Sequence, residues 1–174
     1  PLVGLLKDPS LRVRFHASLA LGKLRSAKAI EPLLDLVRGN DDEDAFVRHG
    51  AVMGLVGSTK ANPKVLLETT SSPHSSVRLA AILALRRHAH PGISSFLKDG
   101  DLYLVTETAR AIHDDFSIPE ALPALAEILD RPDLEGEATS QTSDQCELPC
   151  GPTIRRQTVG PLCRQPHPLP KTCG

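Results

Sequence analysis

Apolar and small residues recur along this chain at the spacing of a helix face, and one phrase comes back. "VRFHASLAL" at 13–21 returns as "VRLAAILAL" at 77–85. With Val13 as origin, Ala17, Ala20, Leu21 and Leu24 follow at +4, +7, +8 and +11, which is one side of an α-helix. Val77 gives Ala81, Ala84 and Leu85 at the same offsets, and Val47 gives Ala51, Gly54 and Leu55. Val105 gives a weaker copy, Ala109, Ile112 and His113. The origins are 34, 30 and 28 residues apart, room for one helical hairpin per repeat.

A shorter apolar stretch precedes each of these helices, at 2–7, 29–37, 63–70 and 91–98. A fifth, 119–129, starts a repeat whose second helix is not evident. Asp8, Ser72 and Asp99 close first helices, and Pro9, Pro73 and Pro91 stand where a helix must stop or start. Alanine at +4 in every copy (17, 51, 81, 109) lets neighbouring helices approach closely, as stacked repeats require. No strand-like alternation survives, which excludes an α/β fold. The pattern predicts an all-α, right-handed α-solenoid of about four helical hairpins plus one helix. It occupies 1–131, and an irregular tail fills 132–174. The structural repeat positions are Val13, Arg14, Ala17 and Leu21; Val47, Arg48, Ala51 and Leu55; Val77, Arg78, Ala81 and Leu85; and Val105, Ala109 and Ile112.

Composition adds limits. No apolar run reaches the roughly 18 residues of a membrane span, so direct membrane insertion is not expected. The formal net charge of −1 gives no electrostatic case for nucleic acid. The chain begins at Pro1, and it is expected to be a fragment or a processed chain. As a fragment its end faces would be uncapped, and restoring its neighbours is expected to raise its stability.

Few residues invite chemistry. Arg14, Arg48 and Arg78 follow the origin in three repeats, with Asp8, Asp44 and Asp99 as candidate partners. They read as an ion-pair and hydrogen-bond ladder holding the turns, with an anion-binding row as the alternative. His88 with His90, or His113 with Asp114 and Asp115, are the nearest approach to a metal site, without a ligand spacing that supports one. The acidic run at 41–44 lacks the glycine and terminal glutamate of a calcium loop. It reads as an inter-helix loop in which Asp42 or Asp44 caps the next helix. No phosphate loop, Ser-His-Asp set or Cys-His set is present in the repeats, so no catalytic, cofactor or metal residue is assigned.

The stretch "DPSLRVRFHASLALGKL" resembles HEAT repeats of the short, bacterial, lyase-like type, and the resemblance extends over 2 to about 130. Three segments, 44–55, 77–87 and 104–129, are similar in this order to the HEAT segment of large bacterial multidomain proteins. Those proteins carry a dehydrogenase-like β-propeller before the segment and a c-type cytochrome domain with Cys-X-X-Cys-His after it. The resemblance implies a non-catalytic scaffold inside an exported, periplasmic or cell-envelope oxidoreductase, with haem held only in a downstream domain. The alternatives are a stand-alone protein-binding module, its partner on the concave face of the second helices, and a chromophore lyase. The partner in the first two readings is protein: adjacent domains or a separate chain.

The composition breaks near 135. All four cysteines and six of the fifteen prolines lie beyond it, with no aromatic residue. Cys146, Cys150, Cys163 and Cys173 with His167 fit no defensible zinc spacing, and a disordered linker is the simpler reading. A third reading follows from the resemblance. Shifted one nucleotide downstream, codons for 141–149 permit Arg-Arg-Ala-Ile-Asn-Ala-Asn-Phe-Arg, and those for 163–172 permit a second family-like segment. The tail is therefore expected to be a frameshifted translation from a point within 132–141, its cysteines without selected chemistry.

Overall fold

A computed structural model describes residues 1–113 and 118–128, all within the chain unit Pro1–Glu137. The expectations placed on 132–174, including the four cysteines and the frameshift, lie outside the described residues.

Every described element is helical, and the elements pair into hairpins that stack as a helical solenoid. The second helices are α1 (Leu11–Leu24), α3 (Ala45–Ser58), α4 (Ser75–Arg87) and α5 (Leu102–His113). The second hairpin opens with α2 (Ile30–Asn40) after a short 3-10 turn, Ala27–Ala29. A final pair, the 3-10 turn Pro119–Ala121 and α6 (Leu122–Glu127), packs on α5 and on the fourth hairpin's first helix. One continuous core runs from Leu6 to Ala121, with Leu33, Leu55, Leu66, Ile82, Ile93 and Phe96 fully buried.

The first helices of the other three hairpins are 3-10 rather than α: Leu2–Lys7, Pro63–Ser71 and Pro91–Lys98. Their short apolar spacing is compatible with this geometry. A 3-10 helix sets residues i and i+3 in line, as for the buried Leu66 and Thr69 and for Ile93 and Phe96, the latter with Leu97 buried beside it.

These three segments end alike. The backbone N–H of Asp8, Ser72 and Asp99 donates to the carbonyl three residues back, at 3.2, 2.9 and 3.1 Å. Each side-chain oxygen then accepts from the backbone N–H two residues ahead, that of Ser10, His74 or Asp101, at 2.8, 3.3 and 2.9 Å. A short side-chain acceptor turns the chain into the next helix at the same point of each repeat.

The register of α5 differs from the sequence expectation. Leu104, Thr108, Ala111 and Ile112 are buried, whereas Ala109 is half-buried and His113 exposed. The repeat origin here is Leu104, with Val105 buried beside it, so Thr108 occupies the small +4 position. Its hydroxyl donates to the Leu104 carbonyl at 2.7 Å, which lets a polar residue stand where alanine stands elsewhere.

Candidate functional site

Arginine follows the origin in α1, α3 and α4, and its reach is the same in each. Arg14 Nη2 donates to the Pro9 carbonyl at 3.4 Å, Arg48 Nη1 pairs with Asp42, and Arg78 Nη1 donates to the Ser72 carbonyl at 2.6 Å. Each guanidinium thus ties its helix to the loop that leads into it. Only Arg78 also spans repeats, pairing with Asp99 at the end of the next hairpin's first helix. The expected partners Asp8 and Asp44 are engaged otherwise. Asp8 makes the turn to Ser10, and Asp44 caps α3 by accepting from Val47 N–H at 2.7 Å. Short carboxylates beside a helix start meet the free N–H groups first, because those donors are fixed and close.

The remaining repeat positions form the interior. Ala17, Leu21, Val47, Ala51, Leu55, Val77, Ala81 and Leu85 are buried, and Val13 is half-buried on the first helix pair. A very close backbone approach lies elsewhere, between α1 and α3. A Cβ on Gly57 would lie 2.1 Å from the Gly22 carbonyl oxygen, and one on Gly22 would lie 2.8 Å from that of Met53. Glycine, more than the +4 alanine, sets this contact, and α1 on α3 is the densest helix pairing of the array.

The opposite side of α1, α3 and α4 carries two adjoining grooves. One, of about 750 Å³, runs between α3 and α4 over Val52, Met53 and Leu83. The other, of about 530 Å³, lies where the C-terminal ends of α1, α3 and α4 meet, floored by Leu19, Met53 and Val56. Met53 and Arg87 belong to both. A smaller cavity of about 290 Å³ sits between Leu2–Lys7 and α2, beside Arg14 and Asp35.

The histidines do separate work. His88 Nε2 lies 3.0 Å from the buried Thr59 hydroxyl, which itself donates to the Leu55 carbonyl, tying α4 to the end of α3. Burial, and then the charges of His90 and Lys60, hold the His88 imidazolium below its ordinary pKa. His90 Nδ1 accepts from Gly92 N–H at 3.0 Å and caps Pro91–Lys98. The two rings therefore serve different partners. Among the described residues, no three acidic, histidine or cysteine groups cluster as a metal site, and no helix is long and apolar enough to cross a membrane. Asp114 and Asp115, the companions considered for His113, lie outside the described residues.

Residues 1–56 match the family model for HEAT repeats. That segment takes in the first hairpin and nearly all of the second, ending two residues short of the end of α3. No curated protein matches the chain. The match and the stacked hairpins agree on a HEAT-like helical solenoid, an architecture whose exposed helix faces serve protein interaction.

Two features of the site were not read from the sequence: the Gly22–Gly57 contact, and the cations gathered at the helix ends. A signal for the second was present. α1, α3 and α4 contain no Asp or Glu, yet carry Arg12, Arg14 and Lys23, Arg48, and Arg78, Arg86 and Arg87 respectively. The net charge of −1 conceals that segregation.

Proposed function

We propose that the array is a non-catalytic protein-interaction scaffold that binds through the face made by its second helices. One observation carries this reading. Leu19, Met53, Val56 and Leu83 stay half-exposed in adjoining grooves, while the other side of the same helices is closed into the core. Apolar side chains gathered in a groove and rimmed by charge are a common form of protein contact. A photo-cross-linking residue at Met53 should yield an adduct with another protein or domain in cells, and one at Glu68, on a first helix, should not. Adducts from Glu68 alone, or from neither position, would reject the reading.

We infer further that the array belongs to a larger exported redox protein, between a dehydrogenase propeller and a cytochrome c domain. The resemblance of 44–55, 77–87 and 104–129 to that family supports this placement. The array then holds no haem; it spaces and orients the domains that carry the chemistry. A haem stain of the full-length gene product tests this, and a product free of covalent haem would rule it out.

A further inference from the structure

We propose that the groove at the C-terminal ends of α1, α3 and α4 receives an acidic segment of a partner protein that also carries apolar side chains. The proposal rests on the interaction reading above and gives the partner a chemistry.

Charge is the first argument. Lys23, Arg25, Lys60 and Arg87 line this one groove. None of the four joins an ion pair among the described residues. Elsewhere Arg38, Arg48, Arg78 and Arg110 each hold a carboxylate while several other cations stand singly; what sets the groove's four apart is that they share one opening with no acidic residue in its described lining. Part of the groove's positive potential is offset by the helix C-termini it faces, whose last carbonyls are partly negative. Four cations around one opening exceed what three helix ends offset at about half a charge each. The local field is felt inside the fold as well, since Lys60 is among the groups that disfavour a proton on His88.

The floor is the second argument. Leu19, Met53 and Val56 are apolar and non-aromatic, and the described lining holds no Phe, Tyr or Trp. Arg25, Arg87 and His88 offer planes on which a base could stack, but the apolar surface between them is aliphatic and suits leucine-like side chains better. Gly22 and Gly57, in close backbone contact, line the groove as well. Methionine adapts its shape to such an occupant. A strand or helix turn with carboxylates at the rim and an aliphatic residue on Met53 satisfies both features.

The test is fluorescence anisotropy with the full chain and a fluorescein-labelled short peptide of alternating glutamate and leucine. Three comparison probes replace glutamate by lysine, replace leucine by serine, or use oligothymidylate. The glutamate–leucine peptide should bind at least about tenfold more tightly than each comparison, and added salt should weaken it. K23E/K60E/R87E should weaken it at least about tenfold, and the neutral K23Q/K60Q/R87Q by less. K7E/K64E/K98E, which reverses cations of the first helices, should leave it unchanged. Circular dichroism confirms that each variant is folded, as expected for exposed positions. Tighter binding of oligothymidylate, equal binding by the K23E/K60E/R87E variant, or no binding of the acidic peptide overturns the proposal. A Met53 adduct in cells that survives K23E/K60E/R87E also overturns it, while leaving the interaction reading in place.

Discussion

Arg78 and Asp99 grip each other across two repeats. Nε to Oδ2 measures 2.7 Å and Nη2 to Oδ1 3.1 Å, with side chains only 13% and 7% exposed. The third arm of the guanidinium holds the Ser72 carbonyl, so one side chain joins a helix, its own entry loop and the next hairpin. Arg78→Ala should lower stability by about 2–4 kcal/mol, because it leaves a largely buried carboxylate without its cation, only the Asp101 N–H remaining, and the Ser72 carbonyl without its Arg78 donor. Arg48→Ala, whose pair with Asp42 is local and more exposed, should cost less than about 1 kcal/mol. Urea unfolding of the two variants makes the comparison. Equal losses would show that spanning the repeats adds nothing.

Glycine substitutions should change sign with position. Gly57→Ala puts a methyl into the Gly22 backbone, which can move only by parting α1 from α3. A loss of about 2–3 kcal/mol is expected. Gly39, on the exposed side of α2, has nothing within 4 Å of its added Cβ. Gly39→Ala should stabilise by about 0.5–1 kcal/mol through helix propensity alone. Thermal unfolding reads both, and a neutral Gly57→Ala would mean that the two helices have slack.

These two sites mark how far the sequence could be read. The period of apolar residues placed every second helix, because burying one face is what that period records. It could not separate α from 3-10 in the first helices, since six to nine apolar-spaced residues satisfy either geometry. It placed the origin of α5 one residue late, because Val105 looks like the other origins while Thr108 looks unlike an alanine until its hydroxyl bonds Leu104. Arg14, Arg48 and Arg78 were visible as a series, and Asp99 as a partner for one of them, but the partners of Arg14 and Arg48 were not. Asp8, Asp42, Asp44 and Asp99 all lie near helix starts, and only geometry decides between capping and pairing. The groove cations come from different loops and helix ends, so linear spacing leaves no trace of their meeting.

Ala89 bears a local strain that can be relieved. It sits at φ 48°, in the left-handed region, between His88 and His90. A Cβ disfavours that conformation by about 1–2 kcal/mol. Ala89→Gly should therefore stabilise the chain, by about 1 kcal/mol or less once the added freedom of the unfolded glycine is counted. Destabilisation on calorimetry would mean that the Ala89 methyl, which lines the groove between α3 and α4, contributes more by contact than it costs by strain.

Stability should fall with acid through His88. Its pKa in the fold lies below 6.5, first because the ring is buried, then because His90 and Lys60 repel a further charge. The unfolded chain therefore takes up the proton at a higher pH than the folded one. Above pH 6.5 both states are neutral and the ring costs nothing. As pH falls below 6.5 the unfolded state gains a proton that the fold resists, so stability declines, and the decline ends once pH passes below the folded pKa. The Thr59 hydroxyl spends its one proton on Leu55 and so accepts from Nε2–H whether the ring is neutral or charged, which leaves burial and the neighbouring charges as the cause of the decline. His88→Gln keeps a hydrogen-bonding group near Thr59 and removes the titration. Melting temperatures of both proteins between about pH 8 and 5 should diverge as pH falls through 6.5, wild type falling more steeply. Parallel curves would show that His88 is protonated as easily in the fold as outside it.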